Sequence, residues 1–157
     1  MWSVRRRSYK AFSLLEVVIV VAIIAVLAAI AIPRMSRGAK GSNDSAVSSD
    51  LAVLRKAIDF YATEHLGIYP KAANINEQLT QFTDVTGGTS TTKDTSHTFG
   101  PYLRSIPSLP VGARIGGTKI AATDANDVGW IYVENSGSIN ANTTTEADDA
   151  GKLHKDY

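Results

Sequence analysis

Glu16 is the residue best placed to do chemistry, because it is a carboxylate beside a long apolar stretch. The sixteen residues from Val17 to Ile32 are all apolar, and Pro33 follows them. A charged side chain in such a segment costs on the order of 2.5 to 3.5 kcal/mol at the middle of a membrane helix and less near its end, so it usually serves a partner. Glu16 therefore either stays hydrated at a membrane surface or pairs with a buried cation.

Two further carboxylates, Asp124 and Asp127, lie three residues apart in a polar segment. Carboxylate oxygens are ligands that calcium prefers, but the ion takes six to eight oxygen atoms. Two side chains supply only part of that shell. The spacing makes them weak calcium candidates, and a hydrated acidic turn is the alternative interpretation.

Other patterns that could support catalysis are incomplete. The three histidines (His65, His97 and His154) are scattered, with no two at the spacing of metal ligands. The segment from Gly112 to Lys119 approaches a phosphate-binding loop, but Thr118 stands where that loop needs lysine. The chain has no cysteine, which excludes disulfides and thiolate chemistry. We therefore expect no enzyme activity, no catalytic residue and no cofactor other than the weak calcium candidate.

The apolar stretch is long enough to cross a bilayer. From Phe12 to Ile32 it has 21 residues, which as a helix extend about 31 Å, close to the thickness of the hydrocarbon core. No glycine or proline interrupts it before Pro33, where a helix ends or kinks. The pattern predicts a transmembrane helix over residues 12–33.

The charges are unevenly distributed along the 157 residues. The first eleven residues contain four basic side chains and no acidic one, whereas the rest of the chain carries 12 basic and 15 acidic residues. An acidic body is a poor surface for nucleic acid, whose non-specific binding depends on Lys and Arg. Basic residues before an apolar run hold that end in the cytoplasm, although three more follow the run: Arg34, Arg37 and Lys40.

The segment Lys10-Ala11-Phe12-Ser13-Leu14-Leu15-Glu16-Val17, with the apolar run and Pro33 after it, resembles the class III signal of type IV pilins and type II secretion pseudopilins. The resemblance implies that a prepilin peptidase removes residues 1–11 by cutting between Ala11 and Phe12, and that the new terminus is N-methylated. It also implies that Glu16 is the acid of the motif. The family usually has glycine where this chain has Ala11.

The resemblance further implies how copies would assemble. The amine of a cleaved Phe12 would pair with Glu16 of a neighbouring copy, satisfying two buried charges together. Identical subunits joined by a contact that does not close form a helical filament. The rival interpretation is an ordinary secretory signal peptide, with Arg5 to Arg7 as its basic part and Ala29-Ile30-Ala31 as its cleavage site.

The remainder, residues 34–157, is predicted to be a soluble α+β domain in which a long N-terminal helix packs on a small antiparallel sheet. An apolar stripe at intervals of three and four predicts an amphipathic helix over about residues 43–66: Val47, Leu51, Leu54, Ile58, Tyr61 and either His65 or Leu66. A short helix is expected at 74–82 and a loop at 83–98. Strands are expected within 114–141, at residues 114–120, 128–134 and 138–141.

This body also resembles the major pseudopilins, through the Gly-Pro-Tyr-Leu segment at 100–103 and the Gly-Trp-Ile-Tyr strand at 129–132. Many type IV pilins close a C-terminal loop with a disulfide, which this chain cannot form. The resemblance implies a pseudopilus subunit in the inner (cytoplasmic) membrane, single-pass, with its soluble domain in the periplasm. Its implied partners are other copies, the prepilin peptidase, the assembly platform and minor pseudopilins.

Two alternatives remain open from the sequence. One is a type IV pilin for adhesion, motility or DNA uptake. The other is a membrane-tethered or secreted binding domain.

Overall fold

A computed structural model describes residues 12–148 and 150–157; within the long helix it describes the backbone but not the side chains of residues 30–39. The chain divides into two compact units, Met1–Ala39 and Lys40–Tyr157. We call the second unit the body. The fold class is α+β with a long N-terminal helix, as the sequence predicts.

Helix α1 runs from Leu14 to Glu64, a length of 51 residues, and its backbone is helical through Pro33. The helix ends at residues in the left-handed region, Leu66 with φ of 59° and Gly67 with φ of 83°. The Gly67 N–H donates to the Ala62 carbonyl at 2.8 Å, the six-to-one hydrogen bond of a Schellman end. Glycine suits this position because it has no Cβ to clash there.

The predicted apolar stripe of α1 forms one wall of the core of the body. Its side chains are buried from Val47 to His65, whereas the neighbouring Leu66 is exposed. His65, not Leu66, therefore completes the stripe. The other core residues come from a short helix, α2 (Ile75–Thr80), the sheet and the connecting segments: Ile75, Leu79, Leu109, Ile120, Trp130, Tyr132 and Ile139.

The larger sheet has the order β3-β4-β5, with strands Lys119–Ala121, Val128–Val133 and Ser138–Ala141. Strands β4 and β5 are antiparallel, as expected for two strands joined by a short turn at Gly137, but β3 and β4 are parallel. The sequence predicts a small antiparallel sheet, and the structure adds one parallel pair to it.

The strand predicted at 114–120 begins only at Lys119, because residues 112–117 form turns. Gly112 and Gly116 have φ of 78° and 84°, which side-chain-bearing residues rarely adopt. Gly117 and Gly129 pack backbone to backbone, so closely that a Cβ on Gly129 would overlap the Gly117 carbonyl oxygen.

The predicted short helix is α2, Ile75–Thr80, and the segment 83–98, predicted to be a loop, contributes to a small ladder. Strands β1, Phe82–Thr83, and β2, Thr89–Ser90, pair antiparallel. The turn between them is stabilised by Asp84, whose Oδ1 accepts hydrogen bonds from the backbone N–H groups of Thr86 and Gly88 at 2.7 and 2.9 Å. These bonds, with that of the Thr86 hydroxyl foremost, lower the pKa of Asp84.

Side chains from helices α1 and α2 form hydrogen bonds with backbone groups on both outer strands of the larger sheet. The amide of Asn76 pairs with both backbone groups of Ile120 in β3, each bond being 2.9 Å long. Arg55 donates to the Ile139 carbonyl of β5 at 3.2 Å. Unpaired groups at a sheet edge are a template for another strand, so these contacts reduce that possibility.

Candidate assembly site at the helix N-terminus

The start of α1 positions Glu16. Ser13 precedes the first helical residue, and its carbonyl accepts the Val17 N–H at 3.2 Å. The Ser13 hydroxyl oxygen accepts the Leu15 N–H at 3.3 Å. Ser13 is thus the N-cap, and Glu16 is the third helical residue, which is the Ser-x-x-Glu spacing of a capping box.

This geometry gives Glu16 a local role that the sequence analysis did not assign. A carboxylate in the first turn interacts favourably with the partial positive charge at a helix N-terminus. The Ser13-x-x-Glu16 spacing in the sequence indicates this capping role. Any test of Glu16 as a partner for another copy must therefore separate its charge from its contribution to the helix start.

The apolar side chains around Glu16 are exposed on every side of the helix. From Leu14 to Leu27 the large apolar residues are 50 to 82% exposed, and Phe12 is 79% exposed. Between residues 12 and 29 the only polar side chains are those of Ser13 and Glu16. A helix that is hydrophobic all round is stable when it is buried, either in a membrane or among other protein segments.

Among the side chains that the structure describes, no helical stretch is both long enough and apolar enough to span a bilayer. The predicted cleavage residue Ala11 lies outside the described residues. Pro33 is part of α1, but its side chain lies outside them as well. Cleavage before Phe12 and its pairing with Glu16 stay predictions.

The calcium candidates are each paired with a basic residue. Both carboxylate oxygens of Asp124 accept hydrogen bonds from Arg114 at 2.8 Å, and Asp127 lies 3.6 Å from the Lys119 ammonium. In the described part of the chain, no three His, Cys, Asp or Glu side chains are placed to hold a metal ion. The residues present do not fit a calcium site.

The histidines have structural partners. His65 is buried and stacks on Tyr61 with a ring separation of 3.8 Å, and its two nitrogens lie 2.8 and 2.9 Å from the carbonyl oxygens of Tyr61 and Asp84. His154 is buried against Asp44 at 2.7 Å. His97 contacts Asp94 at 2.9 Å in a turn. The rings of His65 and His154 therefore link separate segments of the body, whereas that of His97 contacts its own turn.

One family model matches the chain, and it covers the region that forms this site. Residues 6–32 match the prokaryotic N-terminal methylation motif. The matched range contains the predicted cleavage site, Glu16 and the apolar run. Neither the curated proteins nor the solved structures include a significant match to the chain. The motif supports a type IV pilin-like subunit, a structural class that is processed by a prepilin peptidase and polymerises into filaments.

Proposed function

We propose that the chain is a structural subunit of a type II secretion pseudopilus that assembles through its N-terminal helix to drive protein export. The observation that carries the proposal is the methylation motif at residues 6–32, with one carboxylate at the start of an exposed apolar helix. The absence of cysteine and the resemblance of the body favour a pseudopilus over a type IV pilus.

In this proposal the prepilin peptidase cuts between Ala11 and Phe12, and the new amine is methylated. Residues 12–33 then anchor the subunit in the inner membrane, and the body lies in the periplasm. The basic residues before Phe12 favour retention of that end in the cytoplasm. The side chains exposed from Leu14 to Leu27 would be covered first by lipid and then by the helices of other subunits.

The selective contact would be an ion pair between the Phe12 amine of an incoming subunit and Glu16 of a subunit already in the filament. Each charge is costly in an apolar environment, and the pair offsets that cost for both groups. A single polar contact between apolar helices can specify their register. Glu16 would therefore set the register of assembly.

The direct test of processing is mass spectrometry of the mature amino terminus. We expect a chain that begins with N-methylated Phe12. A chain that begins at Ile32 would show instead that Ala29-Ile30-Ala31 is a secretory cleavage site and would overturn the proposal. A mixture of cleaved and uncleaved chains in wild type, resolved by substituting Ala11→Gly, would identify Ala11 as a residue that slows processing.

A deletion strain tests which filament is formed. Loss of exoprotein secretion, restored by the gene in trans, supports a pseudopilus. Normal secretion with loss of a surface fibre would identify a type IV pilin. A purified soluble monomer that binds a ligand or turns over a substrate would support the third alternative, a tethered or secreted domain.

A further inference from the structure

Three side-chain oxygens of the turn at residues 124–126 surround one guanidinium, that of Arg114. Its Nε and Nη2 donate to the two carboxylate oxygens of Asp124 at 2.8 Å each, and its Nη1 donates to Oδ1 of Asn126 at 3.2 Å. The paired bonds match the planar fork of the guanidinium to the carboxylate. The guanidinium of Arg114 is therefore bound by three side-chain oxygen atoms from Asp124 and Asn126.

Asn142 connects this arrangement to the sheet. Its Nδ2 donates to Oδ1 of Asp124 at 2.8 Å and to the Val128 carbonyl at 2.7 Å, and its backbone N–H donates to the Gly129 carbonyl at 2.8 Å. Asp124 is thus held by Arg114 on one side and by an amide beyond the end of β5 on the other. We call residues 112–117, residues 124–128 and Asn142 the loop cluster.

We propose that the guanidinium of Arg114 is the built-in cation of the loop cluster and orders it without calcium. The inference goes beyond the proposed function and does not depend on it. A divalent cation can order a loop by binding carboxylate and amide oxygens from neighbouring turns. In this chain the Arg114 side chain would have that role.

Both aspartates of the loop cluster already lie beside basic side chains. The guanidinium of Arg114 neutralises Asp124, and Lys119 beside the cluster lies 3.6 Å from Asp127. The hydrogen bonds from Arg114, followed by that from Asn142, lower the pKa of Asp124 from 3.8 to about 2. A calcium ion would have to displace a basic side chain from each carboxylate before it gained a ligand, and it would still lack most of the oxygens it needs.

The backbone of Arg114 belongs to the turn that packs against β4. The Arg114 carbonyl accepts the Gly117 N–H at 2.9 Å, and Gly117 in turn accepts the Leu109 N–H at 2.9 Å. Gly117 packs directly on β4, where a Cβ added to it would lie 2.8 Å from the Gly129 nitrogen. Fixing Arg114 to Asp124 therefore helps to fix the turn that brings Gly117 against the sheet.

The test is amide hydrogen exchange of the full chain in detergent micelles, with either calcium chloride or a calcium chelator present. For the wild type we expect the same exchange rates and the same unfolding temperature in both conditions. In Arg114→Ala we expect exchange in residues 112–117 and 124–128 to rise about two- to fivefold, the range expected for an exposed ion pair, while amides of β4 keep their protection.

Two matched variants make the result specific. Arg114→Lys keeps the positive charge but not the fork, so its exchange should fall between those of wild type and Arg114→Ala. Asp124→Asn should loosen the same amides as Arg114→Ala, and the double variant should be no looser than either one. The proposal would be overturned by a wild-type loop cluster that calcium stabilises, or by an Arg114→Ala variant with wild-type exchange.

Discussion

Helix α1 contains two apolar regions whose side chains have opposite environments. Leu51 and Leu54, on the buried stripe, are completely buried in the body, whereas Val18 and Ile19 are half exposed. Both regions are helical, and both contain Val, Ile and Leu side chains. What differs is the pattern: the body region has apolar residues on one stripe, and the N-terminal region has them on all sides.

This difference separates two sources of stability. A one-sided stripe can be covered by a single small domain, and burying a Leu, Ile or Val side chain contributes about 1.5 to 3 kcal/mol. A helix that is apolar all round offers more surface than its own chain covers. The body therefore depends on intramolecular packing, and under the proposed function the N-terminal region would depend on contacts with lipid or other copies. Each prediction below perturbs one source and leaves the other intact.

The largest expected effect is on assembly. Glu16→Val should abolish or disorder filaments, since it removes the charge that would pair with Phe12, and should leave membrane insertion and the stability of the body unchanged. Electron microscopy of filaments and denaturant unfolding of the body measure the two outcomes.

Two control variants separate pairing from helix capping. Glu16→Gln keeps a residue suited to the capping box but has no charge, so it should fail in assembly like Glu16→Val. Ser13→Ala weakens the cap and keeps the charge, so it should assemble. Normal filaments of Glu16→Gln would show that the charge pair is not needed.

Within the body, Leu54→Ala should lower the free energy of unfolding by about 2 to 5 kcal/mol, because it leaves a cavity in a fully packed core. Val53→Ala is the matched control on the same helix, since Val53 is 47% exposed. It should change the stability by less than about 0.5 kcal/mol. Urea unfolding followed by Trp fluorescence gives both values. Equal losses for the two variants would contradict the burial pattern.

A smaller loss is expected at the end of the buried stripe. His65→Phe keeps an aromatic ring beside Tyr61 but removes the contacts to the Tyr61 and Asp84 carbonyls. We expect a loss of about 0.5 to 1.5 kcal/mol, the net contribution of a hydrogen bond, because the Tyr61 and Asp84 carbonyls still accept the backbone N–H groups of residue 65 and Gly87. His97→Phe, in the surface turn, is the control and should be nearly neutral. Unfolding curves that rank the variants in the reverse order would refute this assignment.

The smallest effect is expected from acid. Because the folded-state pKa of Asp124 is lowered from 3.8 to about 2, its contribution to stability is complete above pH 4 and is lost as the pH falls toward 2. The difference in unfolding temperature between wild type and Asp124→Asn should therefore shrink over that interval. A difference that stays constant from pH 5 to pH 2 would show that the ion pair does not stabilise the fold.

The parts of the structure set by local pattern could be predicted from the sequence. The stripe from Val47 to Tyr61 follows from spacings of three and four residues, and strand β5, Ser138–Ala141, follows a turn residue, Gly137. The sequence alternation also indicated β4, which ends one residue earlier than expected, at Val133. In these elements the local preference and the tertiary packing agree.

The misplaced elements depend on contacts between distant residues. The predicted strand includes residues 114–118, but the chain turns at Gly116, whose φ is 84°, and Gly117 lies against Gly129. The hairpin of residues 82–90 depends on the Asp84 carboxylate and not on an apolar alternation. Its strands have two residues each, which is too short for a periodic pattern.

The candidate site was partly visible in the sequence. Glu16 is identified by its contrast with the apolar residues that follow it, and Ser13 could have been recognised as its capping partner. The partner of Asp124 could not have been identified, because Arg114 is ten residues away and lies on a different turn. Two acidic residues at close spacing indicate calcium equally well whether or not a basic side chain folds onto them.

The occupied backbone groups at Ile120 and Ile139 matter when many copies are crowded together. Proteins can aggregate when an edge strand of one molecule pairs with an edge strand of another. Strands whose outward hydrogen-bonding groups are already occupied resist such pairing. In a filament, Asn76 and Arg55 would then allow neighbouring bodies to lie close together without pairing their strands. The bodies could still separate when the filament disassembles.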